Sequence, residues 1–248
     1  MNIQLPKKRK RPDLIADAIR ERIVLAGLQP GARIPADWIS EDKLHVSRGT
    51  LREALKILEV QGLIVTRTGP GGGTFVSAID PSQALLLLDN LFLFEPPSIA
   101  NIYAIRKALE PEVAAGLAGK LSDTQLDALK QTIRLYENEP TNVEEEYRMR
   151  LSELDFHTVL ASFSDNKLLG FVCTFMISLL RDMTECRAIY AERNPGLRET
   201  GLNYQVALVR ALKAGDAERT RMVMAAHMLE AEVYMLERAA LRRRGPSS

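Results

Sequence analysis

At 248 residues, with 46% hydrophobic and 26% charged side chains, the chain is long enough for two domains with real cores and has the composition of a globular protein. Its longest apolar runs, such as 84–88 and 170–173, fall far short of the ~20 residues a membrane span needs. The formal charge of +1 conceals an asymmetry: residues 1–78 carry 13 Lys/Arg against 8 Asp/Glu, and the remainder 20 against 24. A basic first third joined to an acidic remainder points to a polyanion-binding module followed by a domain with another task. No apolar segment follows the basic N-terminus as a secretory signal would. Cys173 and Cys186 form neither a CxxC pair nor a disulfide framework. Both observations predict a cytoplasmic protein whose thiols are packing residues.

In chain order, residues 1–12 read as a basic disordered arm with KKRKR at 7–11, either a solvated tail or a phosphate-contacting arm. A first helix is predicted from Asp13 to about Ala26, with Ile15, Ala18, Ile19 and Ile23 inward and Gly27 at its end. A short second helix follows from about Ala36 to Leu44. After the turn Leu44-His45-Val46, a third helix runs from Ser47 to about Gln61, with Gly62 closing it. Its apolar stripe is Leu51, Ala54, Leu55 and Leu58, the i, i+3, i+4, i+7 spacing of one buried face. Arg48 and Arg52 share another face, with Ser47 and Thr50 near the helix start. Two arginines and two hydroxyls on a first turn suit phosphates and base edges in a major groove.

Leu63–Arg67 and Thr74–Ser77 are β-rich runs joined by Thr-Gly-Pro-Gly-Gly-Gly, which predicts a hairpin with a tip able to approach a DNA backbone. A nucleotide loop is disfavoured because no Lys-Ser/Thr follows and no helix begins there. Three helices and a hairpin make residues 13–78 a winged helix-turn-helix. The junction falls at Ala78-Ile79-Asp80-Pro81. Beyond it helical periodicity is nearly continuous, with helices predicted at about 82–94, 97–119, 122–138, 142–163, 166–192, 198–214 and 216–243. Gly116, Pro140, Pro195 and Gly215-Asp216 punctuate them, and Ser122 and Asp216 read as N-caps. No fixed repeat is present. The fold class is therefore mainly α, an N-terminal winged helix-turn-helix followed by an all-α bundle over 82–243.

The segment PGARIPADWISEDKLHVSRGTLREALKILEVQGLIVTRTGPGGGTFV resembles the winged-helix domain of the GntR transcriptional regulators. The remainder resembles the all-helical ligand-binding domain of that family's fatty-acid-regulator branch. The marks there are Ile105-Arg106…Leu109-Glu110, Glu153…Phe156-His157, Ala211-Leu212…Gly215-Asp216 and Met224…His227. The resemblance implies a homodimer on palindromic operator DNA, acting as a repressor more often than an activator. It makes Ser47, Arg48, Thr50 and Arg52 contacts of the recognition helix. Arg67, Gly71, Gly72, Gly73 and Thr74 become contacts of the wing, the last four forming its tip. Three positions depart from the family: Gly49 replaces a frequent hydroxyl residue, His45 the usual turn glycine, and Trp38 a polar or basic side chain.

Many relatives hold a divalent metal with one Asp and three His, and grip a small carboxylate with that metal and a buried arginine. The matching set here is Glu153, His157, Gln205 and His227, with Zn or Ni as the expected ion. Glu153 replaces Asp, and Gln205 replaces a histidine, which weakens affinity for a borderline metal. The two histidines can equally be a hydrogen-bonded core pair without metal. Arg106 is the expected effector anchor, through paired hydrogen bonds to a carboxylate, and a salt bridge to Glu110 is compatible with that role. Tyr103, Asn166 and Arg181 are further expected lining residues. The leading expectation is thus a regulator whose operator affinity follows a small carboxylate. The rival is a sensor for which the divalent ion is itself the signal. An all-α metalloenzyme is disfavoured, because no nucleophile–base pair appears.

Overall fold

The computed structural model describes residues 10–78, 81–134, 140–192 and 195–244. It divides into two compact units, residues 1–83 and 84–248. Residues 7–9 of the basic run, Ile79 and Asp80 of the junction, and 135–138 of the predicted third bundle helix lie outside the described residues.

In the first unit, α1 (Arg11–Leu25) buries Ala16, Ile19 and Ile23 against α3 (Arg48–Val60), which returns Leu51, Ala54 and Leu58. Ala18 is exposed and Ile15 half-buried. The inward face of α1 is therefore rotated onto Ala16, whose small side chain allows the close approach. The helix begins two residues earlier than expected because Lys10 N–H donates to the Asp13 carboxylate and Pro12 is preset for a first turn. The predicted second helix is two pieces, a 3-10 turn (Ala36–Ile39) and α2 (Glu41–Leu44). Ser40 separates them, its backbone extended and its hydroxyl capping the Lys43 amide. His45 adopts φ 50, ψ 50, the left-handed turn usually given to glycine. Ser47 caps α3, and Gly62 follows it at φ 72.

Strands β1 (Ile64–Arg67) and β2 (Gly73–Val76) pair antiparallel, with Ile64 opposite Val76 and Arg67 opposite Gly73. The segment 31–34 adds a third edge through Ile34 N–H to Thr74 O (2.8 Å), Val76 N–H to Ala32 O (2.9 Å) and an Arg33–Phe75 bridge. Ile34, Ile64, Thr74 and Val76 face the core.

The second unit is all helix among its described residues: α4 (Pro81–Leu91), α5 (Ile99–Leu117), α6 (Asp123–Arg134), α7 (Val143–Ser162), α8 (Lys167–Asp182), α9 (Thr184–Tyr190), α10 (Pro195–Ala214) and α11 (Ala217–Arg244). Helix α5 packs most extensively on α11, with α7 and α8 closing the same core. Ser122 and Asp216 cap α6 and α11 through the Gln125 and Arg219 amides, as expected. The predicted single helix 166–192 is broken at Met183, whose extended ψ of 126 turns α9 back. That turn brings Cys186, Ile189 and Tyr190 onto the same apolar cluster as Tyr103, Leu154 and Met235. Gly119 and Gly215, both at φ 74, let two helix ends meet so closely that a Cβ on Gly119 would lie 3.2 Å from the Gly215 Cα. No described helix is long and apolar enough to cross a membrane.

The apolar interior of this unit forms two clusters, not one. Val113, Leu160 and Met224 belong to the first; Ile102, Leu154 and Met235 belong to the second. Along α5 the residues between the clusters, Arg106 and Glu110, are polar and buried; the buried His157 of α7 and His227 of α11 lie at the margin of the first cluster, next to Phe156 and Met228.

One stability change follows for the first unit. Gly49 lies on the exposed side of α3, and an added Cβ would meet only the Ser47 hydroxyl, at 3.9 Å. Gly49→Ala is expected to stabilise the protein by about 1 kcal/mol through helix propensity, measured as a rise in the urea midpoint with unchanged slope.

Candidate functional site

The exposed side of the first unit is built from the N-terminus of α3. Ser47 Oγ accepts from the Thr50 amide at 3.2 Å and lies 3.0 Å from the Thr50 hydroxyl, so both hydroxyls sit together on the first turn. The Arg48 side chain is 89% exposed and pairs with Glu41 at 3.1 Å. Such an exposed pair orients an arginine more than it stabilises the fold. Arg52 is exposed one turn on. Arg11 belongs to α1, not to the arm, and donates to the His45 carbonyl at 2.8 Å, tying the chain start to the turn before α3. Trp38 lies against the core of this unit, with the Arg22 guanidinium 4.4 Å from its ring centre.

In the wing, Arg67 lies over the Phe75 ring, while Gly71 is exposed and Gly72 and Gly73 half-exposed. Thr74 does not belong to the exposed tip. It is a strand residue only 5% exposed and points into the core, because its neighbours in the alternating β2 pattern face outward. The exposed tip is residues 68–71.

The second unit contains the buried polar layer. The Arg106 guanidinium is 2% exposed and pairs one helical turn along with Glu110, whose other oxygen lies 2.6 Å from His157 Nδ1. His157 Nε2 faces His227 Nε2 at 3.1 Å, and the two rings stack at 5.1 Å. Burial disfavours the Glu110 carboxylate, yet Arg106 and His157 outweigh it and hold its pKa down at about 2. Burial acts against the Arg106 charge as well, and Glu110 reverses the effect, so the arginine pKa is raised. For His227, burial, then His157 and Arg106, push the pKa well below the ordinary imidazole value, so the ring is neutral near pH 7. With His157 Nδ1–H donating to Glu110, a single proton between the two facing Nε2 atoms completes the chain.

A cavity of about 30 Å³ opens on this layer, lined by Tyr103, Arg106, Arg150, Glu153, His157, Tyr190, His227 and Tyr234 among others. Among the described residues, Arg106 Nη2 is buried with no hydrogen-bond partner. Arg150, which the sequence did not single out, is 2% exposed and pairs with Glu146 at 3.5 Å and Glu153 at 3.3 Å. Its spacing to Glu146 and Glu153 was the available signal. Of the residues expected here, Tyr103 lines the cavity. Asn166 instead caps α8 through the Leu169 amide, and Arg181 pairs with Asp155 at the surface. Burial pushes the Cys173 and Cys186 thiols up to about 12, away from nucleophilic chemistry.

The four expected metal ligands are unequally placed. His157 and His227 converge, and their separation is close to the roughly 3.3 Å of two nitrogens sharing a tetrahedral ion. Gln205 is fully buried; its amide nitrogen lies 3.4 Å from the Glu153 carbonyl, and its oxygen has no partner among the described residues. The Glu153 carboxylate is held by Arg150 and packs on Gly201, where an added Cβ would lie 3.0 Å from Glu153 Oε1. Among the described residues, no three His, Cys, Asp or Glu side chains come together as a metal-binding group.

A winged helix-turn-helix followed along the chain by an all-helical unit with a buried polar cavity is the organisation of a DNA-binding regulator of transcription. Residues 13–76 match the model of the bacterial regulatory proteins of the gntR family, and residues 101–230 match the FCD domain. The chain belongs to the GntR family, in its FCD-containing branch. It is 25% identical over 207 residues to the HTH-type transcriptional regulator LutR of Bacillus subtilis, covering 83% of this chain and 92% of that protein. It is 30% identical over 181 residues to the Glc operon transcriptional activator of Escherichia coli, covering 70% and 69%. A Streptococcus agalactiae GntR structure has the same fold, with a TM-score of 0.57 at 19% identity over 90% of this chain and 99% of that one.

Removing the Glu110 charge strands a buried guanidinium. Glu110→Gln is expected to destabilise the helical unit by about 3–5 kcal/mol in urea denaturation.

Proposed function

We propose that this protein is a homodimeric repressor that binds a palindromic operator through α3 and the wing, and that its operator affinity is set by a small carboxylate held at Arg106. The observation that carries the effector reading is Arg106 Nη2, a charged donor buried without a partner at the wall of a cavity. Leaving such a donor unmet costs about 1–3 kcal/mol, and a ligand carboxylate would supply the missing acceptor. The cavity is small, which favours small acids over long acyl chains and requires local repacking even for those. On the DNA side, the exposed Arg48 and Arg52 support the helix contacts. Effector binding changes operator affinity by favouring one of two conformational states.

The facing imidazoles support a second reading, in which a divalent ion participates. His157 and His227 would hold it, with the unpartnered Gln205 oxygen the next donor of the family set. Glu153 would have to leave Arg150 to join them. A bound Zn²⁺ or Ni²⁺ would supply positive charge to an acid at this cavity. In the extreme form of this reading, the ion alone is the signal.

A thermal-shift series of small carboxylates on metal-stripped protein, each with and without Zn²⁺ or Ni²⁺, separates these readings. Stabilisation by an acid, lost in Arg106→Lys, is the expected result. Dependence of that stabilisation on metal supports the ion. A shift with metal alone, matched by a change in DNA affinity, supports the metal sensor. An acid response that survives Arg106→Lys contradicts the anchor. For the DNA face, Arg48→Ala and Arg52→Ala are each expected to weaken binding to a duplex selected from a random pool by about 1–3 kcal/mol. Wild-type affinity in both variants would overturn the α3 assignment.

A further inference from the structure

Arg33 lies outside the recognition helix and outside the hairpin, yet its backbone and side chain both belong to the wing. Its backbone bridges Phe75, which makes segment 31–34 the third edge of the sheet. Cross-strand partners project to one side of a sheet, so Arg33, Phe75 and Val65 share a face, and Arg67 joins them over the Phe75 ring. The core lies on the opposite face, with Ile34, Thr74 and Val76.

On the outer face the Arg33 side chain reaches across β2, and its Nη2 donates to the Gly72 carbonyl at 2.8 Å. Gly73 is the space that permits this. A Cβ there would lie 2.8 Å from Arg33 Nε and 3.1 Å from Nη2, and the residue stands at φ 150 besides. The guanidinium therefore lies against a bare glycine backbone, fixed at one corner, on an exposed residue. An arginine has five N–H donors in a rigid fork, and the Gly72 carbonyl occupies one end of it.

We propose that Arg33 is a DNA-phosphate contact, pre-positioned by the Gly72 carbonyl so that the glycine-rich tip and two guanidiniums, Arg33 and Arg67, meet the backbone as one unit. The proposal rests on the wing facing DNA. Holding the fork in place before binding lowers the side-chain entropy lost on contact, and one neutralised phosphate adds about 0.9 to the slope of log affinity against log salt.

The test measures affinity and salt slope of the full-length protein by fluorescence anisotropy on a duplex selected from a random-sequence pool. It compares wild type with Arg33→Gln, Arg33→Lys and Arg33→Ala, each checked for an unchanged urea midpoint. Glutamine can still donate to Gly72 but carries no charge; lysine keeps the charge without the fork. The expected result is a slope lower by about one in Arg33→Gln and Arg33→Ala, with affinity reduced up to about tenfold, and a wild-type slope in Arg33→Lys. If Arg33→Gln matches wild type in affinity and slope, Arg33 does not contact phosphate and the proposal fails, whether or not Arg33→Ala weakens binding. Should wild type bind no selected duplex, the DNA reading beneath the proposal fails first.

Discussion

The ion pair between Arg106 and Glu110 is the constraint around which the helical unit is arranged. Two full charges inside one turn of α5 would each cost several kcal/mol to bury alone, and they persist because each neutralises the other and because His157 and His227 extend the chain of donors and acceptors. The apolar core is divided in consequence. Along α5 one cluster packs on each side of Arg106 and Glu110, and His157 and His227 continue the polar group at the margin of the first cluster. Such groups are tolerated when every member is satisfied. Here Glu110 and both imidazoles have partners, and Arg106 Nη2 does not. The unmet donor, the cavity and the charge sit in one place, which is the physical case for an acidic effector there.

The two units differ in where their charge lies. The first buries aliphatic side chains and leaves Arg48 and Arg52 of α3 and Arg33 and Arg67 of the wing exposed. In the second, Arg106 and Arg150 are buried among carboxylates. Burial thus separates the two sets of arginines, and the proposed roles follow from it: exposed guanidiniums suit a polyanion and buried ones a small anion.

What could be read from the residues follows the same physics. The limits of α3 were legible because local chemistry sets them: Ser47 caps its start, Gly62 takes the left-handed turn past its end, and one apolar stripe fixes its buried face. His45 was legible as a strained turn for the same reason. The break at Met183 was not, since no glycine or proline marks it and the periodicity of α8 runs on into α9; tertiary packing of Cys186, Ile189 and Tyr190 decides it. Spacing also placed Glu153 and His157 on one helix and put Arg150 one turn from Glu146 and Glu153, but it could not show that those pairs are buried or that a Glu110 oxygen holds His157. Thr74 was misread because a glycine-rich turn hides where the β2 alternation begins, and Asn166 and Arg181 because a polar residue near a core is more often a cap or a surface ion pair than a cavity wall.

Linkage makes the central claim measurable without knowledge of the path between the halves. If an acid at Arg106 changes operator affinity by some factor, operator DNA must change the affinity for that acid by the same factor. The decisive measurement is a titration of the acid against the full-length protein by calorimetry, free and saturated with its selected duplex, in wild type and in Arg106→Lys. The account predicts that the acid binds free wild type more tightly than the duplex-bound protein, and that Arg106→Lys loses both the binding and the difference. Equal affinity for the acid with and without DNA, or a difference that survives in Arg106→Lys, would contradict it.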